Sequence, residues 1–148
     1  MKVSRKGLKI IKKHEGLRLK PYLCPASVPT IGYGATYYPY GDKVSMNDEA
    51  ITEEYAEKIL KEMLINYEDG VERYVQVELN QNQFDALVSF SYNLGLGSLK
   101  SSTLLKKINN NPCDPDIENQ FKRWVKAGGK TLSGLVKRRE EESKLYFS

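Results

Sequence analysis

Between Pro21 and Val44 the chain loses all helical periodicity, and Pro, Gly, Tyr and Thr take over. On both sides of this stretch, apolar residues recur at helical spacing. Such a segment can only be short strands and turns, and it is too small to make a domain of its own. The pattern predicts an α+β protein with a small sheet lobe inside a mostly helical chain. Thr30 to Tyr33 reads as its best strand, with Gly32 and Gly34 marking close backbone approach.

The flanking helices carry their own start and stop signals. Ser4 is placed to cap a helix bearing Leu8 and Ile11 that ends near Glu15, with Gly16 in the left-handed exit position. After Thr52, Glu53 and Glu54 suit a first turn, and Ala56, Ile59, Leu60, Met63 and Tyr67 follow on one face of a long helix linking the sheet lobe to the rest. Asn80 with Gln83 three residues on forms a capping-box pattern before Phe84, Leu87, Val88 and Ser91, and Gly95 and Gly97 are expected to end that helix. Further helices are expected over Ser101 to Asn109, from Asp114 or Asp116 through Trp124 and Val125 to Gly128-Gly129, and from Ser133 to Tyr146. No internal repeat or linker interrupts them, so residues 1–148 are expected to form one domain of two lobes with a cleft between them.

Composition narrows the class. At 148 residues a chain can bury roughly two-thirds of its unfolded surface without metal or disulfide staples. It has no apolar run long enough for a membrane span, and its basic amino terminus lacks the apolar stretch of a secretory signal. Two cysteines, Cys24 and Cys113, are too few for a disulfide framework. The net charge of +4 hides an asymmetry: eight Lys or Arg against one acid from Lys2 to Lys20, seven against none from Lys122 to Arg139, and an acidic middle. Basic ends attract any polyanion and identify no partner. No phosphate-cradling glycine loop is present, and one His with two distant Cys offers no metal set, so neither cofactor nor metal is expected.

The chemistry concentrates just ahead of and within the strand segment. Eight residues separate Glu15 from Cys24, five separate Cys24 from Thr30, and Ile31-Gly32-Tyr33-Gly34 follows at once. An acid at a helix C-terminus faces the negative end of the helix dipole, which favours the protonated form that a proton donor needs. A free thiol is mostly neutral at neutral pH, so Cys24 can supply negative charge only where its surroundings favour the thiolate. The hydroxyl of Thr30 can donate and accept, as a group that holds water must. Cysteine-hydrolase chemistry needs a His base, and the only one, His14, points away from its neighbour on the same helix.

Those spacings, with the glycine pattern, resemble the phage-type lysozymes or endolysins, whose signature is Glu, eight residues, Asp or Cys, five residues, Thr, then Ile-Gly-Tyr-Gly. The similarity continues through Gln83 to Gly95, Ser102 to Leu105 and Phe121 to Arg139. The resemblance implies a lysozyme-like fold and a muramidase acting on peptidoglycan glycan strands, in which Glu15 donates the proton, Cys24 occupies the second catalytic position and Thr30 positions water. It further implies Tyr33, Thr36, Tyr92, Asn93 and Ser102 as substrate-binding residues, Tyr33 packing against sugar or core, and Arg139 as the arginine that pairs with the acid. The enzyme would be a monomer without nucleic-acid or stable membrane partners, made in the bacterial cytoplasm and released to the wall through a holin. Two departures stand out: Ser27 where the family often has Gly, and Pro29 where an aromatic often precedes the Thr. Pro29 lacks a backbone donor, which places its strand at a sheet edge. A lytic transglycosylase of related fold, a wall-binding module without turnover and a nucleic-acid module are the competing readings.

Overall fold

A computed structural model describes residues 1–148. The backbone divides into two compact units, one made of Met1–Ile11 with Asn66–Ser148 and the other of Lys12–Ile65. Seven helices and two small two-stranded sheets run in the order α1 (Arg5–Glu15), β1 (Arg18–Leu23), β2 (Pro29–Gly32), α2 (Glu53–Tyr74), α3 (Gln81–Leu94), α4 (Leu96–Ser101), α5 (Thr103–Asn110), α6 (Ile117–Lys122), β3 (Lys126–Ala127), β4 (Lys130–Thr131) and α7 (Ser133–Tyr146). No helix is long and apolar enough to cross a membrane.

In the smaller unit β1 pairs antiparallel with β2, matching Tyr22 to Thr30 and Leu23 to Pro29, and the register slips before Arg18 meets Gly32. Pro29 therefore does lie in an edge strand, as its missing donor requires. Ile31 and Ala35 exchange both backbone hydrogen bonds at 2.9 Å. The residues between them form a tight turn in which Gly32 and Gly34 have φ of +67° and +95°. A Cβ on Gly32 would meet nothing closer than 3.6 Å. Gly32 thus answers a conformational demand of the turn. Ile31, Ala35, Tyr38, Val44 and Ile59 bury themselves beneath this turn, with Ile51, Tyr55 and Met63 packed around them.

In the larger unit the expected capping box is present: Asn80 accepts from the Gln83 N–H and the Gln83 side chain accepts from the Asn80 N–H. The helix expected over Ser101 to Asn109 is present as α5, whereas the helix ends expected at Gly97 and at Gly128-Gly129 need correction. Gly95 ends α3, but α4 starts at once and runs through Gly97, and Ser102 then caps α5 by accepting from Leu105 N–H at 3.0 Å. Helix α6 stops at Lys122, so Trp124 and Val125 lie beyond it, and Gly128-Gly129 turns the β3–β4 hairpin instead of terminating a helix. Trp124 is used as an edge partner for Phe90, their centroids 5.6 Å apart, as is Phe121 at 5.8 Å. Helix α7 occupies its expected span.

A buried charge cluster joins α3 to α7. Glu142 is fully buried; its Oε2 accepts from Ser89 Oγ at 2.5 Å and from Arg138 Nε at 3.2 Å. Arg139 Nε lies 2.8 Å from Glu142 Oε1, although its N–H is not aimed for a hydrogen bond. The charges attract at that distance whatever the angle. Burial pushes the Glu142 carboxyl above its ordinary range, and the two guanidiniums with the Ser89 hydroxyl offset only part of that rise.

Helix α1 packs within the same unit through Gly7. A Cβ there would stand 2.7 Å from Asp85 Cγ and from Val3 Cγ1. Asp85 accepts from Ser4 N–H at 3.0 Å and from the Ser4 hydroxyl, and Ser4 Oγ in turn accepts from Gly7 N–H at 3.4 Å. Gly7→Ala, which in an exposed helix would add up to ~1 kcal/mol of stability, should here cost ~1–3 kcal/mol by overpacking. Urea unfolding of the two proteins measures the sign.

Candidate active site

Glu15 is the last residue of α1, half-buried, and Gly16 after it has φ +74°. The chain re-enters β1 at Arg18, whose partner is Gly32. The acid is therefore three residues from the strand that pairs with β2. Lys12, one turn before Glu15, is ion-paired with Glu57 of α2, and its ammonium sits 5.8 Å from the Tyr33 ring centroid.

Cys24 and Thr30 are brought together by the turn between β1 and β2. Cys24 N–H donates to the Val28 carbonyl at 3.1 Å, and Ser27 N–H donates to the Cys24 carbonyl at 2.8 Å. Ser27 at the apex has φ +61°, the only non-glycine residue of the chain in the left-handed region. A Cβ in that conformation crowds the backbone, so glycine would fit the position with less strain. The turn aims backbone donors at the Cys24 sulfur. Its thiol is held below the ordinary value of 9.0, chiefly by hydrogen bonding from Val28 and then Ala26, with burial opposing and Thr30 assisting. A concave set of N–H groups of this kind favours an anion.

Thr30 is 3% exposed. Its hydroxyl donates to the Val28 carbonyl at 2.8 Å. The same proton cannot serve the sulfur at that moment, so assistance to a thiolate requires the hydroxyl to rotate toward Cys24. In either orientation Thr30 binds the Cys24 turn together and keeps lone pairs for accepting.

The other expected site residues fall in three places. Tyr33 is 4% exposed and packs into the core of its unit, so of the two surroundings expected for its ring the core is the one observed. Burial, more than any neighbour, pushes its phenol up. Thr36 is half-buried and its carbonyl accepts from Val44 N–H at 2.9 Å. In the larger unit Asn93 accepts from Arg139 Nη2 at 2.7 Å, Tyr92 meets Tyr67 edge-on at 5.2 Å, and Ser102 is committed to capping α5 while donating to the Leu99 carbonyl at 2.7 Å. Ser102 also borders a polar cavity of about 340 Å³ with Gln120, Arg123 and Trp124. Glu142, which holds the arginine that holds Asn93, was absent from the expected set because a buried Glu is indistinguishable in sequence from its exposed neighbours Glu140 and Lys144.

The phage lysozyme family model matches residues 12–142, which include Glu15, Cys24, Thr30 and Arg139. The chain belongs to the phage lysozyme family. It is 46% identical to the endolysin of Bacillus phage B103 across its whole length, although it spans only 55% of that relative. With the endolysin of Salmonella phage P22 it shares 39% identity, covering all of this chain and 99% of the other. Among solved structures, the endolysin from Escherichia coli O157:H7 phage FAHEc1 superposes with a TM-score of 0.89 at 37% identity, covering 100% of this chain and 94% of that one. The fold is thus α+β and lysozyme-like, with helices in the majority.

Two outcomes follow for the turn. Ser27→Gly should leave the fold intact and raise stability by up to ~1 kcal/mol, whereas Ser27→Val should lower it by ~1–2 kcal/mol, the cost of a β-branched residue in the left-handed region; thermal melts of both variants check the pair. Because the thiolate is favoured in the folded chain, Cys24 alkylation by iodoacetamide should titrate with a midpoint below 9.0. Thr30→Val should move that midpoint upward, and an unchanged profile would remove Thr30 from the sulfur's surroundings. A depressed thiol also stabilises the fold above the unfolded value, and that contribution is lost as pH falls through the folded one.

Proposed function

We propose that residues 1–148 act as a single catalytic domain, a muramidase that hydrolyses the β-1,4 bond between N-acetylmuramic acid and N-acetylglucosamine in peptidoglycan and so lyses a bacterial cell. The observation that carries this reading is the amide-lined turn around Cys24. It answers the one objection raised by the sequence, the loss of the usual carboxylate. Backbone N–H groups that favour an anion shift the Cys24 thiol toward its thiolate, the direction that restores negative charge at the second catalytic position.

Hydrolysis needs a proton for the leaving oxygen and a group that manages the oxocarbenium face. Glu15 takes the first role, as the half-buried acid at the end of α1. Cys24 stabilises the developing positive charge, and the Thr30 lone pairs left over from its bond to Val28 orient water. Thr36, Tyr92 and Asn93 hold the glycan, Tyr33 supports the turn from below, and Ser102 fixes the start of α5. Arg139 sets the Asn93 amide, leaving its NH2 for substrate. The protein acts as a monomer, without nucleic-acid partners or a stable membrane association, and reaches the wall after synthesis in the cytoplasm and holin-dependent release.

Glu15→Gln should reduce the rate of turbidity loss of purified peptidoglycan by a factor of about 10²–10⁴, the range for removing a general acid. Cys24→Asp should retain lysis and Cys24→Ala should lose it. Wild-type lysis that persists undiminished in Glu15→Gln would overturn the assignment. Two measurements then place the reaction: an α-anomeric product marks direct attack by water and a β-anomeric product a covalent Cys24 intermediate, whereas muramyl ends lighter by one water would replace hydrolysis with transglycosylation.

A further inference from the structure

The hairpin after the Ile-Gly-Tyr-Gly turn carries an aromatic arrangement that the proposed catalytic set leaves unused. Tyr37 pairs with Lys43, Tyr38 N–H donates to Asp42 and Gly41 N–H to Tyr38, both at 2.9 Å. Side chains alternate along such a hairpin, so Tyr38 and Tyr40 share one side. Tyr38 is buried, and its hydroxyl donates to Asp48 Oδ2 at 2.7 Å; the same oxygen accepts from Ser45 N–H at 2.8 Å. Tyr40 stacks on Tyr38, with centroids 5.3 Å apart and planes 8° from parallel, yet it is 67% exposed.

A ring with one face pinned to an anchored partner and the other in water is a rigid platform. A ligand that stacks on it has little side-chain entropy left to freeze out. The neighbouring charges decide which ligand. Partial burial pushes the Tyr40 phenol up, and Tyr55, Asp42 and Asp48 push it further, in that order. Asp48 is held below the usual carboxylate range by Ser45 N–H and the Tyr38 hydroxyl, and so stays an acceptor. Lys43, paired with Tyr37, is the one cation in the hairpin sequence from Thr36 to Val44. Acceptors around an aromatic face repel polyanions and suit a neutral molecule with an apolar C–H face and a rim of hydroxyl donors.

We propose that Tyr40, backed by Tyr38 and flanked by Asp48 and Tyr55, is a saccharide-binding subsite that stacks an N-acetylhexosamine ring of the glycan strand. This rests on the muramidase reading for the identity of the glycan. It adds a binding position in the smaller unit beyond the catalytic residues.

The test uses the non-hydrolysing Glu15→Gln chain, co-sedimented with purified sacculi. Adding Tyr40→Ala should weaken binding about tenfold, which corresponds to ~1.4 kcal/mol, while Tyr40→Phe, which keeps the ring, should bind as the parent does. Equal affinity of the Ala and parent chains would overturn the proposal, as would a Phe variant weakened as much as Ala. A second measurement needs no variant: an N-acetylglucosamine hexamer should slow nitration of Tyr40 by tetranitromethane in the intact chain and leave Tyr37, 51% exposed and outside the stack, unaffected. Protection of both or neither tyrosine, or displacement from sacculi by a cationic peptide but not by the hexamer, would also refute it. Lysis by the wild-type chain is scored separately, so a lytic protein whose Tyr40 variants bind normally loses only this inference, and a non-lytic protein that needs Tyr40 for binding loses only the enzymatic one.

Discussion

The six residues from Cys24 to Pro29 have to reverse the chain, and the way they satisfy their backbone hydrogen bonds decides what the neighbouring side chains can do. Cys24 N–H donates to the Val28 carbonyl, Ser27 N–H closes back on the Cys24 carbonyl, and Thr30 ties its hydroxyl to the Val28 carbonyl. Buried or turn-bound polar groups that lacked such partners would cost more than the turn could return. Once those bonds are made, the remaining N–H groups face the sulfur. The lowered Cys24 thiol is therefore a by-product of the turn's own hydrogen bonding.

The same logic runs through the Ile-Gly-Tyr-Gly motif. A family signature with two glycines near an active site invites the idea of a ligand pressed against backbone. Here the glycines sit at positive φ so that Ile31 and Ala35 can bond to each other, and the large residues between and beside them point into the core. The motif determines where β2 ends, and thereby where Thr30 stands.

Features set by local rules could be read from the residues alone. The caps at Ser4 and Asn80, the glycine exit after Glu15, the start of α2 after Thr52 and the span of α7 all depend on neighbours within a few positions, and all appear where such rules put them. The region from Leu96 to Gly129 resisted because its helices are six to eight residues long, too short to show a period. The β1 strand began earlier than expected, at Arg18, because Arg18 and Lys20 disguise it as part of the basic amino-terminal run. The spacing proposes Glu15, Cys24 and Thr30 together, while the Val28 and Ala26 amides that lower the Cys24 thiol have no side-chain signature. Glu142 and the Tyr38–Tyr40 stack escaped for the opposite reason, since each depends on contacts or burial that a linear pattern does not encode.

Pro29 leaves a different mark. A sheet of only two strands has two free borders, and each could recruit a stray strand from another molecule. At the Pro29 position there is no amide hydrogen to offer, and immediately beyond it Ile31 has already turned its bonds onto Ala35. A crowded solution of these molecules would find that border closed to fibril-like stacking.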